Sequence, residues 1–249
     1  MSAQSIQIIN RTKQARVVAD AGEVHAPKVV AELAGELDGL AGFDGAQLVP
    51  MTQAGVLLLL SVTDEMEELD MRYASECAQD EVARARRDVC VAEARKLVMD
   101  ARDHTRSTLG EGGPSKYGLP SVTPRQPDRL LAELDNVLHR LEEYPVRQSG
   151  HFGATFDSAA MHEEVSRVRD DLAVALDTLG IERRETERAM LERDAAVARW
   201  ERIYRGVAGQ LSSLFIMAGH DELAKRVRPT TRRAAGLDAP SRSADAVEA

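Results

Sequence analysis

Aromatic side chains are scarce in this chain, at 4% of its residues. An ordinary compact domain fills its centre with Phe, Tyr and Trp, so the scarcity points to thin cores of Leu, Val and Ala. Cysteine is scarcer: Cys77 and Cys90 are the only two. They fall 13 residues apart on one expected helix. That is ~20 Å along its axis, and a disulfide needs Cα atoms within ~7 Å. Neither belongs to a CxxC pair. Reduced thiols and a cytoplasmic location are the expectation. Long apolar runs are missing too. The longest, Val56 to Leu60, falls far short of the ~20 residues that span a bilayer. Met1 to Arg16 has no basic-then-apolar signal pattern. No membrane span is expected. Long β-runs are absent, which speaks against an all-β fold. Positive charge is not in excess: the net charge of -9 disfavours the whole chain as a binder of nucleic acid or anionic membrane.

Catalytic constellations are missing as well. Ferritin-like metal sites need Glu three residues before His, and no His here has one. His162-Glu163-Glu164 begins like a zincin motif, but position 166 is Ser, so the second ligand is absent. Gly110 to Lys116 holds glycines and a lysine without the P-loop spacing, and reads as a hinge. Spacing offers no Ser-His-Asp or Cys-His set. No cofactor or metal is expected. One alternative keeps an enzyme in view. His220-Asp221 is an HD dipeptide, and all-α phosphohydrolases combine such a pair with a separate His, here His162. On one straight helix His162 and His220 stand ~85 Å apart, so that reading needs the helix to break and fold back at Gly180.

What the chain does have is charge, at 29% of residues, and helical periodicity. Asp157 to about Ala218 reads as one long helix. Its apolar seam runs Met161, Val165, Val168, Leu172, Ala175 and Leu179. After a charged patch it resumes at Val197, Trp200, Tyr204, Val207, Leu211 and Leu214. Steps of four and three mark a coiled-coil seam. Roughly 60 residues span ~90 Å, and such a helix cannot bury its stripe alone. A second long helix is expected from Thr52 to Thr108. Its stripe is Leu59, Val62, Met66, Leu69 and Tyr73, then, after a shift near Cys77, Ala78, Val82, Ala85, Val89, Ala92 and Met99. A shorter amphipathic helix follows from Asp128 to Tyr144, ended by Pro145. Pro27 opens another, with Val29, Val30, Leu33, Leu37 and Leu40 on one face. Ile6, Ile8 and Ile9 suggest a short strand and Arg16 to Val18 a second, with a loose arm as the alternative. Gly35 and Gly39 weaken the Pro27 helix, Gly42 lies beyond its end, and Phe43 to Pro50 and Gln148 to Thr155 read as joints.

The expected fold is therefore all-α: an elongated antiparallel hairpin or coiled-coil bundle of two long helices with shorter packing helices. The division is an N-terminal arm and short helix (1–50), a long-helix bundle (51–219, with helices 52–108, 128–144 and 157–218), and a short helix with a disordered basic tail (220–249). Antiparallel pairing joins the most apolar ends of the long helices, and aligning Leu60 with Leu211 gives a register that charge can check. Asp64, Glu65, Glu67, Glu68 and Asp70 then face Arg199, Arg202 and Arg205. Arg84, Arg86 and Arg87 face Glu185 and Glu187, and Arg95, Lys96 and Arg102 face Asp170 and Asp171.

The leading functional expectation is a non-enzymatic scaffold, adaptor or assembly subunit that binds a protein partner or itself. Leu57, Leu58, Phe215 and Met217 are the candidate apolar contacts. Lys225, Arg226, Arg228, Arg232 and Arg233 form a basic cluster with no acid among them. That cluster suits an acidic protein surface or, less in keeping with the overall charge, nucleic-acid phosphate.

Overall fold

A computed structural model describes residues 5–37, 47–150 and 155–237. The fold is all-α. Two long helices, α3 (Leu48–Leu109) and α6 (Ser158–Met217), pack against α1 (Ile6–Val24), α2 (Ala26–Leu37), α4 (Gly113–Lys116), α5 (Pro127–Glu143), α7 (Asp221–Val227) and α8 (Thr231–Ala234). β1 (Arg147–Ser149) and β2 (Thr155–Asp157) form a small antiparallel pair. The chain divides into two units. The first holds the residues up to Glu76 and those from Glu187 onward; the second is Cys77–Thr186. Both long helices contribute to both units. Among the described residues no helix is long and apolar enough to cross a membrane.

In the first unit, α3 and α6 run antiparallel. The Trp200 indole N–H donates to the Thr63 hydroxyl at 3.0 Å, Glu65 pairs with Arg199, and Arg72 pairs with Glu192. The expected seam is buried: Leu59, Val62 and Met66 on α3 meet Trp200, Tyr204, Val207, Leu211 and Leu214 on α6. The register differs from the expected one. Continuing the observed pairs puts Leu60 near Ile203 and Tyr204, one heptad from Leu211. A seam repeating every seven residues looks the same after a slip of seven, so the apolar pattern alone leaves this open.

The N-terminal residues overturn their expectation. Ile6 to Val24 is one helix, started by Ser5, whose hydroxyl accepts from the Ile8 N–H. Its inner face mixes two large apolar residues, Ile8 and Val18, with small and polar ones: Ala15, Ala19 and Gly22 are buried beside Arg11, Thr12 and Gln14. The buried polar residues blur the helical period, so Ile6, Ile8 and Ile9 read locally as a strand although Ile8 is buried as part of a helix. The small stripe lets α1 lie close to the long helices. A Cβ at Gly22 would stand 2.5 Å from Val56 Cγ2. Arg11 donates to Glu201 and to the Ala234 carbonyl, both at 3.0 Å, and Thr12 donates to Glu67 at 2.6 Å.

Gly219 ends α6 as expected, with φ of 76°. The His220 N–H reaches the Phe215 carbonyl and the Gly219 N–H that of Ile216, closing the helix with glycine at the left-handed position. Thr230 to Leu237, expected to be disordered, instead contains α8, capped by Thr230, and Ala234 is buried. The remainder of the expected tail, 238–249, lies outside the described residues. So do the expected contacts of Leu37 and Leu40, the placement of Gly39 and Gly42, and the first half of the expected Phe43 to Pro50 loop, whose last residues, Leu48 to Pro50, already belong to α3.

In the second unit, α5 is a third member beside α3 and α6, as its stripe predicted. Leu130, Leu134, Val137 and Leu141 meet Cys90, Ala94, Val98 and Ala101 of α3 and Val165, Val168, Leu172 and Ala175 of α6. Here the expected α3 stripe is wrong. Ala78, Val82, Ala85, Val89, Ala92 and Met99 are all exposed; the buried row is the one containing Cys90. α3 carries small or apolar residues on both faces, and the Leu-rich sides of α5 and α6 decide which is covered. The expected cross-helix charges also change partners. Arg84 pairs with Asp80, Arg87 with Asp88, and Arg167 with Glu93 and Asp171. Arg102 donates to the carbonyls of Pro120 and Ser121. The joint before α6 is in part the β1–β2 pair, and Asp157 then caps α6 through the Ala159 N–H at 3.0 Å. Gly180 does not break α6, which is continuous over 60 residues.

Candidate interaction surfaces

The apolar candidates separate by position. Leu57, Leu58 and Met217 are exposed, at 65%, 43% and 61%. Phe215 is fully buried, so it belongs to the core and not to a contact surface. Phe215 stands two residues before the end of α6, and Met217, about 200° further round the helix, is exposed. Leu57 and Leu58 also diverge, because neighbours on a helix stand about 100° apart. Leu57 borders a cleft of about 220 Å³ with Gly22, Glu23, Gln53 and Val56. Leu58 is turned about 100° from it around α3, toward exposed Met51 and Ala54.

The basic cluster is partly committed to the fold. Arg233 donates to the carbonyls of Lys225, Arg226 and Arg228 at 3.4, 3.1 and 3.0 Å. It thereby places its charge on the carbonyl end of α7, where a cation is favoured. Lys225 pairs with Glu222 at 2.7 Å, and that hydrogen bond raises its pKa. Arg226, Arg228 and Arg232 are exposed. Sequence spacing shows five adjacent cations; the structure shows that Arg233 is spent internally.

The two histidines of the hydrolase alternative belong to different units. His162 stands 3.1 Å from Glu142 and His220 stands 2.8 Å from Glu32. His220 is the residue before α7 and Asp221 its first residue, where a carboxylate suits the amide end of the helix.

Two surfaces of the second unit escaped sequence reasoning. One is the exposed row Ala78 to Met99, whose heptad spacing is legible in the sequence but is the same for a buried and an outward-facing row. The other is a cleft of about 330 Å³ between α3 and the start of α6. Its floor holds Leu97, Ala101 and Met161, and its rim holds Asp100, His104, Asp157 and Glu164. The rim acids are largely occupied. Asp157 caps α6 and pairs with Arg147. Glu164 is held by Arg167, whose hydrogen bonds lower the carboxyl pKa. No signal joins these positions in sequence, because α3 and α6 supply them from far apart. No protein-family model, curated protein or solved structure matches this chain.

Proposed function

We propose that this chain is a non-enzymatic helical assembly protein, a cytoplasmic scaffold or adaptor that acts by binding protein surfaces, its own included. The observation that carries the reading is the alignment of exposed apolar side chains along the long helices. Met51, Leu58 and Met217 mark one such face in the first unit; Val82 and Val89, 70% and 59% exposed, mark another in the second. Scattered exposed apolar residues mean little. Rows at helical spacing fit the docking of a further helix. Two unpaired cysteines suit a reducing compartment. The internal use of Arg233 and the net charge of -9 favour protein over nucleic acid as the partner.

A photo-crosslinking amino acid at position 58 or 82 of the full chain, expressed in its native source, tests this. Protein adducts are expected at those positions and not at an exposed polar control such as Glu187. Absence of adducts at both rows removes the reading. Metal that co-purifies and is lost in His220→Ala would favour the hydrolase instead.

A further inference from the structure

We propose that the outward row of α3 in the second unit, Ala78 to Met99, is an interface with a second copy of this chain, the two α3 helices pairing antiparallel about a two-fold axis that passes between Val89 and Ala92. The proposal rests on the assembly reading above and names its partner.

Within this unit α3 carries two seams. The inward one runs Asp80, Ala83, Arg87, Cys90, Ala94, Leu97 and Ala101 in steps of three and four, and its members are buried or half-buried. The outward one runs Ala78, Val82, Ala85, Val89, Ala92, Lys96 and Met99 in steps of four and three, and every member is exposed. Both rows keep the 3.5-residue period of a supercoiled helix, so the outward one holds a single line facing away from the core. Val82 and Val89 are its most open large side chains, at 70% and 59%. The alanines between them let a second helix approach closely.

Charge beside the row selects the occupant. One flank carries Gln79, Arg86, Glu93 and Asp100, and the other Glu81, Asp88, Arg95 and Arg102, each set at seven-residue spacing. A two-fold between antiparallel helices brings each flank against the same flank of the other copy. With Val89 opposite the partner's Ala92, Val82 falls opposite the partner's Met99. Lys96 lies over the partner's Ala85, which leaves room for its aliphatic stem. Arg86 then faces the partner's Glu93, Asp88 the partner's Arg95, and Glu81 the partner's Arg102. Each of these pairs is offset by ~3 Å along the axis, forms twice, and joins opposite signs. A slip of one heptad one way sets Arg86 on the partner's Arg86 and Asp88 on the partner's Asp88. A slip the other way sets Glu93 on the partner's Glu93 and Arg95 on the partner's Arg95. Parallel pairing, in which the two flanks meet each other, sets Asp88 against the partner's Glu93. Of these four arrangements one alone is free of like charges. Glu81, Arg86 and Arg95 have no ion-pair partner among the described residues. Asp88, Glu93 and Arg102 pair with Arg87, Arg167 and Asp103. Those pairs need not break, because a carboxylate accepts from more than one cation and a guanidinium has five donors.

Sedimentation equilibrium of the full chain from micromolar to high-micromolar concentration tests this. The unmodified chain should approach the mass of a dimer. Val89→Glu should raise Kd by at least ~10-fold without lowering the Tm of the monomer, in which Val89 already faces solvent. Val174→Glu, at an exposed position of α6, should leave association unchanged. Arg86→Glu and Glu93→Arg should each weaken self-association, and an equal mixture of the two variants should form a heterodimer. Register is read in a chain lacking Cys77 and Cys90. There Val82→Cys together with Met99→Cys should give a covalent dimer with a short thiol crosslinker, and neither alone should. A monomer at every concentration, a dimer undiminished by Val89→Glu, equal loss in Val174→Glu, or no covalent dimer from the double-cysteine chain overturns the interface. If the chain is monomeric but position 82 still crosslinks to another protein, self-pairing fails and the assembly reading stands. If the chain is monomeric and neither position 58 nor position 82 gives an adduct, both fail.

Discussion

Trp200 is the largest fully buried side chain among the described residues. It is the only tryptophan. It stacks on Tyr204 with centroids 4.8 Å apart, and Arg11 lies over its ring at 6.0 Å. Trp200→Ala should cost ~3–5 kcal/mol, read as a loss of denaturation midpoint, and the native indole should fluoresce as a water-shielded group. Tyr204 behaves differently. Its hydroxyl is buried without a hydrogen-bond partner, and burial raises its pKa above the ordinary value of 10.0. The neutral phenol is the folded-state form. Its contribution is thus intact below the unfolded pKa and is lost as pH rises through the folded one. Tyr204→Phe should be neutral or stabilising by ~1 kcal/mol, since an unsatisfied buried group disappears. It should also reduce the loss of stability above about pH 10, which urea denaturation across an alkaline pH series measures. A Tyr204→Phe protein clearly weaker at neutral pH would mean the hydroxyl has a partner.

At the scale of elements, two measurements separate what periodicity shows from what packing adds. Gly180 lies inside α6, and a Cβ there would meet nothing within 4 Å. Gly180→Ala should therefore stabilise the protein by ~0.5–1 kcal/mol through helix propensity. A substitution that destabilised it would show that α6 bends there. Register is tested by paired cysteines in a chain lacking Cys77 and Cys90. Glu65→Cys with Arg199→Cys should be joined efficiently within one chain by a short thiol crosslinker. Leu60→Cys with Leu211→Cys should not, because a one-heptad offset separates them by ~10 Å along the axis. The reverse result would restore the register read from the apolar ends. α1 shows why such errors arise. Its interior face sets Arg, Thr and Gln among Ala, Gly, Ile8 and Val18, and the burial of the polar ones is made tolerable by partners on α3, α6 and α8 that no local window contains.

For the whole molecule, association couples to folding by mass action. If a second copy binds the folded chain and not the unfolded one, the Tm should rise with protein concentration. Scanning calorimetry across a hundred-fold or so concentration range should show that rise in the unmodified chain. A flat Tm would place the functional contacts on other proteins.

By itself the sequence determined the all-α class, both long helices to within a few residues, the α5 stripe, the seam of α6 and the stop at Gly219. All of these are read over a few turns of one segment, where helix periodicity and capping act. Only the tertiary structure decided that Ile6 to Val24 is a helix, that α8 packs under Arg11, that α3 buries the Cys90 side rather than the Val82 side, and which heptad of α3 faces which of α6. Each of these is a choice between alternatives of nearly equal local energy. A seven-residue slip preserves the seam, and Ala-rich faces are alike, so the choice falls to side chains on distant segments, such as Trp200 against Thr63 and the α5 leucines that share a core with Cys90 and Ala94.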